Sequence, residues 1–230
     1  MVGSFRNCGL SSGVIFGVLI IYSFPSECSL KPLGICELGV LNQSISQTHI
    51  MAFQARDLYN ISVNQQEFQG TGLCDTPVNW LSIPNITSLQ SSTILQNIYQ
   101  TLHDFLGAFK VLKKCRVENE FFSKLHEANI SISALQSNIF SILCNKSAVS
   151  HIPISVVIPE ADGVFDEKLQ CCRILNMYMN FMVAVESGLQ RLREETRQKV
   201  AQLKYKNNSS GQQKSRKKVK RRKIGSKRAK

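Results

Sequence analysis

Cysteine and histidine are the residues of this chain whose side chains can bind a metal, act as nucleophiles or form cross-links. The chain of 230 residues has eight cysteines and four histidines. Neither an H-E-x-x-H nor a C-x-x-C spacing occurs, and neither does a phosphate-binding P-loop or a dinucleotide fingerprint. We therefore expect no catalytic residues, no metal, no cofactor and no enzyme activity. The histidines are isolated from one another, at His49, His103, His126 and His151.

The first 28 residues have the pattern of a secretory signal peptide. Arg6 precedes the apolar run 14–21, which is followed by a segment with proline and serine. The run is too short to span a bilayer comfortably as an anchor. Cleavage after Ser23 or after Cys28 would leave a small residue at the cut, and both remain open. No later segment reaches about 18 apolar residues, so we expect a secreted, extracellular protein with no membrane insertion.

Seven potential N-glycosylation sites agree with secretion. Each is an N-x-S/T triplet without proline at its centre, and they begin at Asn42, Asn60, Asn85, Asn129, Asn145, Asn207 and Asn208. In the same oxidising compartment, most of the cysteines after the signal peptide should form disulfides. Cys171 and Cys172 are adjacent, and neighbours on a helix point about 100° apart. The two thiols are therefore not expected to face the core together.

Apolar residues recur at helical spacing in four long segments, which span 36–63, 87–114, 117–146 and 162–192. The last segment extends toward Tyr205. Each has about 25 residues or more, and hence a length of about 40 Å. The links 64–86 and 147–161 are long, whereas the link near Cys115 is only a few residues. Long, short and long links predict an all-α, long-chain four-helix bundle with up-up-down-down topology.

The fourth segment has the most regular pattern, and its polar start is distinctive. Asp162 is a candidate N-cap, and Phe165 and Lys168 stand ahead of the regular stripe. An aromatic ring beside a cation suits recognition of a partner, although a core phenylalanine and a solvated lysine would give the same spacing. The stripe consists of Leu169, Cys172, Leu175, Met179, Met182, Val185, Leu189 and Leu192.

These residues resemble those of the leukaemia inhibitory factor and oncostatin M family of cytokines, which belongs to the interleukin-6 superfamily. The family has F-x-x-K at the start of its last helix and a disulfide cysteine seven residues after the phenylalanine, as at Phe165, Lys168 and Cys172. The segment that starts CELGVLNQSISQ at Cys36, the GLC at 72–74, and SKLHEANISISALQSNIFSILCNKS from Ser123 are also similar to the family, in the same order. The match covers roughly residues 36–189.

The resemblance implies a disulfide framework. Cys74 should pair with Cys172, and Cys144 should pair with either Cys28 or Cys36. The third-helix cysteine that the family has in addition is replaced here by Ser141. Two cysteines have no clear family partner, and they could pair with each other, stay free or link two chains: Cys115 and Cys171.

The resemblance also implies two receptor-binding surfaces on a monomer. Phe165 and Lys168 would contact a leukaemia inhibitory factor receptor-type chain. Gln43, Ser46 and Asn138 would contact the shared interleukin-6 family signal transducer, although a glycan on Asn42 would lie beside Gln43. The protein would then act by assembling cell-surface cytokine receptors. The alternatives are another helical cytokine, of the ciliary neurotrophic or interleukin-11 type, or a basic secreted polypeptide that acts through its tail.

The end of the chain is strongly basic. The net charge is +12, and residues 214–230 contain eleven lysines and arginines and no acid, which leaves the other 213 residues at +1. We expect a signal peptide over 1–28, a cytokine domain over 29–206 and a disordered basic tail over 207–230. In a secreted protein this tail suits heparan sulfate rather than nucleic acid, and it resembles the cationic precursor extension of oncostatin M. It could give the chain antimicrobial or matrix-binding activity.

Overall fold

The structure, a computed structural model, describes residues 33–115, 117–145 and 157–225, with side chains for 37–115, 117–144, 157–203 and 205. These parts contain four α-helices and no strand. The helices are α1 (Leu33–Gln65), α2 (Ser91–Leu112), α3 (Asn119–Asn145) and α4 (Val164–Gly225). Short 3₁₀ turns at Leu73–Asp75 and Ile86–Ser88 lie between α1 and α2.

Contacts between the helices define the topology. The Lys124 Nζ on α3 donates to the Asp57 Oδ2 on α1, while farther along the Asn138 Nδ2 donates to the Gln47 Oε1. Residue numbers rise on one helix as they fall on the other, so α1 and α3 are antiparallel. The same relation holds for α1 with α4, α2 with α3 and α2 with α4. Helices α1 and α2 therefore run one way and α3 and α4 the other, and the predicted up-up-down-down bundle is confirmed.

Aromatic side chains fill the centre of the bundle between α2 and α4. The ring of Tyr178 lies 5.2 Å from that of Phe105 and 5.0 Å from that of Phe109, both near edge-to-face, and the Phe181 ring lies 5.4 Å from Phe105. All four side chains are buried. Burial raises the pKa of the Tyr178 phenol well above its ordinary value. The predicted apolar stripe of α4 is buried from Leu169 to Leu192 except at Met179, which is half-buried.

The long first link runs along the outside of α4 and is held there by side chains of that helix. The Arg173 Nε donates to the Leu73 carbonyl at 3.0 Å, and the Asn176 Nδ2 donates to the Cys74 carbonyl at 3.1 Å. The Arg191 guanidinium donates to the carbonyls of residues 87 and 89. These bonds satisfy backbone acceptors that the irregular loop leaves unpaired. The loop therefore covers much of one face of α4 and lets α1 and α2 run parallel.

Helix α4 differs from its prediction at both ends. It begins at Val164, so Gly163 rather than Asp162 occupies the cap position. The Asp162 N–H instead donates to the Asp166 carboxylate, 3.2 Å away in the first turn. At the other end the helix continues to Gly225 through the stretch for which the sequence predicts disorder. Lysine, arginine and glutamine, which are good helix formers, make up most of residues 212–223, and no proline follows Pro159.

Candidate functional site

The start of α4 presents the two residues for which the sequence predicts partner recognition. Phe165 lies in the first turn, and its side chain is 60% exposed although the residue is large and apolar. Lys168 is half-buried and stands three residues later, on the same side of the helix. The ring of Phe165 meets the ring of Phe68 edge-on, with centroids 5.8 Å apart. Phe165 is therefore a surface residue rather than a member of the core.

A small apolar cluster separate from the main core lies beneath this end of α4. Val63, Phe68, Cys74, Leu169 and Cys172 are its buried members, and Tyr59 packs against them. Burial, followed by the charge of nearby Asp75, raises the pKa of the Tyr59 phenol. The cluster joins the end of α1, the first link and α4, so it fixes the surface on which Phe165 rests.

Two disulfides meet at this level of α4. Cys74 is bonded to Cys172, with 5.4 Å between their Cα atoms, as the family resemblance implies. Cys115, just beyond α2, is bonded to Cys171, with 6.2 Å between Cα atoms. The sequence alone did not decide whether Cys115 and Cys171 pair with each other, stay free or link two chains. As expected for neighbours on a helix, the two tandem cysteines face different directions: Cys172 faces the small cluster and Cys171 faces the main core. Both are buried because each direction is covered.

The predicted pairing of Cys144 stays a prediction. Cys144 is half-buried near the end of α3. Cys28 and the side chain of Cys36 lie outside the described residues. The antiparallel register of α1 and α3, set by Asp57 with Lys124 and Gln47 with Asn138, brings position 36 to the level of position 144. This register favours Cys36 over Cys28 as the partner.

The second predicted surface lies on α1 and α3, toward the opposite end of the bundle. Gln43 and Ser46 are exposed on α1. Asn138 on α3 is half-buried, and its amide is bonded to Gln47, which in turn donates to the Ser131 carbonyl at 3.0 Å. The structure thus brings Asn138 beside α1, although not into direct hydrogen-bond contact with Gln43 or Ser46.

Two exposed apolar residues lie next to this surface and were not predicted to belong to it. Ile50 and Phe53 on α1 are 59% and 70% exposed. Their positions off the apolar stripe of α1 are the signal that would have identified them. Exposed large hydrophobic residues close together are typical of interaction surfaces. They extend the outward face of α1 that starts at Gln43 and Ser46.

The potential glycosylation sites differ in accessibility. Asn42 and Asn60 are exposed on α1, and Asn85 is exposed in the first link. Asn129 is half-buried, and its amide nitrogen donates to the Leu125 carbonyl at 2.8 Å. Three further side chains lie outside the described residues: those of Asn145, Asn207 and Asn208.

Two features concern metal ions and membranes in the described part of the chain. Its histidine, cysteine and acidic side chains form no group of three or more that could hold a metal ion. None of its helices combines the length and the apolar character needed to cross a membrane. The described surface has an exposed aromatic ring at one end of the bundle and exposed apolar residues on α1, which are features typical of protein recognition.

Comparison with known proteins agrees with this arrangement of helices. The fold is that of a long-chain helical cytokine, and the sequence profile of the LIF / OSM family matches residues 39–189. The chain belongs to the LIF / OSM family. It is therefore an interleukin-6-type cytokine, from a family of secreted, non-enzymatic proteins that bind cell-surface receptors. No curated protein sequence matches it significantly.

Proposed function

We propose that this protein is secreted as a monomer and signals by assembling two receptor chains. One is a leukaemia inhibitory factor receptor-type chain, bound through Phe165 and Lys168. The other is the shared interleukin-6 family signal transducer, bound through Gln43, Ser46 and Asn138. The exposure of Phe165 at the start of a long, cross-linked helix is the observation that carries the proposal. An exposed aromatic side chain that fills a pocket on a partner is typical of a binding hot spot.

The spacing of the two surfaces supports simultaneous binding. Phe165 lies at the level of Phe68, just past the end of α1 at Gln65. Gln43 lies 22 residues before that end, which corresponds to about 33 Å along the helix. Two receptor domains can therefore contact the bundle without competing for the same surface.

The first surface is tested by replacing both of its residues with alanine. Truncation of a hot-spot aromatic costs at least about 2 kcal/mol of binding, or about 30-fold in affinity. We expect Phe165→Ala with Lys168→Ala to lose at least that factor for the receptor ectodomain that binds the wild-type protein best in a binding panel. The melting temperature should change little because Phe165 is exposed. Val183→Ala is the matched control, since Val183 is an exposed apolar residue of the same helix.

Three outcomes would contradict this proposal. Unchanged receptor affinity of the double variant would exclude the start of α4 as the contact surface. A large fall in melting temperature, with normal affinity in the folded fraction, would make Phe165 a stabilising residue instead. A panel in which only receptors of the ciliary neurotrophic or interleukin-11 type bind would favour another helical cytokine.

The second surface is tested by uncoupling binding from signalling. Gln43→Ala with Asn138→Ala should retain affinity for the first receptor but lose signalling, because the second chain is no longer recruited. Gln47→Ala is the matched control, since it removes the hydrogen bond to Asn138 without changing either proposed contact residue. Enzymatic removal of glycans should increase signalling if a glycan on Asn42 covers Gln43.

The basic tail supports a second, separable activity. Eleven cationic residues and no acid in 214–230 suit a linear polyanion, and heparan sulfate is the extracellular one we propose. Deletion of 214–230 should remove retention on immobilised heparin while leaving receptor signalling intact. Loss of signalling on deletion would instead favour a polypeptide that acts through its tail.

A further inference from the structure

The end of α1 is built as a specific helix-terminating turn. The Phe68 N–H donates to the Val63 carbonyl at 3.0 Å, and the Glu67 N–H donates to the Asn64 carbonyl at 3.4 Å. Glu67 has a left-handed backbone with φ of 61°. These are the bonds and the conformation of a Schellman motif, which is completed by an apolar contact across the turn. Phe68 and Val63 share one buried cluster and supply that contact.

This turn places a buried ring directly against the exposed ring of the candidate receptor site. Phe68 is 7% exposed, whereas Phe165 is 60% exposed, and the two planes are perpendicular. Edge-to-face packing is a preferred geometry for aromatic pairs. Phe165 therefore has one side against Phe68 and the other toward solvent, which limits the directions that its ring can take.

The segment after Phe68 is also fixed. The Thr71 N–H and Oγ1 both donate to the Phe68 carbonyl, at 3.2 and 2.8 Å. Cys74 follows and is covalently bonded to Cys172, seven residues after Phe165 on the same helix. Phe68 is thus held between a helix terminus on one side and a disulfide to α4 on the other.

We propose that Phe68 is a positioning residue for receptor recognition, which acts by holding the ring of Phe165 in its binding orientation. The end of α1, and not α4 alone, then decides how the exposed ring meets a partner. This inference rests on the proposed role of Phe165. Preorganisation of this kind raises affinity because less side-chain freedom is lost on binding.

A double-mutant cycle tests the inference, with affinity measured for the receptor ectodomain that the wild-type protein binds best. Phe68→Ala should weaken binding about three- to tenfold, the range expected for one aromatic pair. In the Phe165→Ala background the same change should have no further effect on affinity. Phe68→Leu retains apolar volume but lacks the ring edge, so it carries the test if the alanine variant does not fold.

Ile98→Val is the matched control, because it removes a methyl group from a fully buried residue of the main core on α2, away from this turn. It should lower the melting temperature without changing the affinity of the folded protein. Unchanged affinity for Phe68→Ala and Phe68→Leu, or equal losses with and without Phe165, would overturn the inference. If Phe165→Ala alone binds like wild type, the proposed function fails instead, and the two failures are thereby distinguished.

Discussion

Gly188 on α4 lies so close to Ile86 of the first link that no side chain fits between them. A Cβ atom at position 188 would stand 2.6 Å from the Ile86 Cγ2. Ile86 is fully buried in a short 3₁₀ turn, and its β-branched side chain has little freedom to move away. The glycine therefore allows the first link to approach the middle of a helix.

Gly188→Ala should destabilise the protein by about 1–2 kcal/mol in urea unfolding. Alanine gains up to about 1 kcal/mol of helix propensity, but forced overpacking typically costs about 1–3 kcal/mol. Gly39→Ala on α1 is the matched control, since nothing lies within 4 Å of its Cβ. It should stabilise by about 0.5–1 kcal/mol. Stabilisation by both changes would show that the contact at Gly188 relaxes without cost.

Glu67→Gly should raise the free energy of unfolding by about 1 kcal/mol. A non-glycine residue in the left-handed region costs about 1–2 kcal/mol, which glycine avoids. Part of that gain is offset because glycine also has more freedom in the unfolded chain. Thermal unfolding of the purified protein measures the change, and receptor affinity should stay constant because the turn is preserved. A less stable variant would mean that the Glu67 side chain makes a contribution larger than its strain.

Removal of the Cys115–Cys171 disulfide should cost about 4 kcal/mol on the loop-entropy model, for a sequence separation of 56 residues. Cys115→Ala with Cys171→Ala is the suitable variant, because both side chains are buried and alanine leaves no unsatisfied hydroxyl. Non-reducing peptide mapping should still find Cys74 bonded to Cys172. A Cys74–Cys171 peptide in the wild-type protein would contradict the connectivity described here.

Asp104 on α2 should make the stability depend on pH. Burial raises the pKa of its carboxyl, against the opposing effects of the Gln100 hydrogen bond and His103. A carboxyl whose folded pKa is raised stabilises the fold fully only below its unfolded pKa, about 3.9, and that contribution is lost as pH rises through the folded value. Asp104→Asn should therefore gain stability relative to wild type between acidic and neutral pH, as followed by urea unfolding.

The control variant for Asp104→Asn is Asp57→Asn, which is not expected to increase stability. Asp57 is bonded to Lys124 at 2.6 Å, and this hydrogen bond is the main cause that raises the pKa of the Lys124 ammonium. Asp57→Asn removes the ion pair, so at neutral pH it should leave stability unchanged or lower it slightly. A difference between Asp104→Asn and wild type that does not change with pH would rule out titration of Asp104 as its origin.

The bundle itself could be predicted from the sequence because its signals are local. The spacing of Leu169, Leu175 and Val185 marks the buried face of α4, and the unequal links restrict the topology. Those signals do not reveal what covers the opposite faces of a helix. Cys171 and Cys172 are both buried because α2 and the first link cover α4 from two sides, and only the assembled structure shows this.

Part of the candidate site was also predictable, because its sequence signals are local. Phe165 and Lys168 were identified by their place ahead of the apolar stripe and by the family resemblance. Phe68 was not identified, because its position depends on a turn in which glutamate rather than glycine takes the left-handed conformation. An apolar residue just after a helix terminus is the sequence signal for such a position. The continuation of α4 beyond Tyr205 was missed because composition favours disorder where local propensity favours helix.

The length of α4 has a consequence for how the molecule would act when it is not free in solution. Its 62 residues correspond to about 93 Å, and Phe165 stands about 74 Å from the first lysine of the basic tail, Lys214. A molecule bound to heparan sulfate through that tail would hold Phe165 far from the polysaccharide. The same helix would then serve as a stalk, and a surface coated with the protein would display an array of outward-facing ligands to an approaching cell.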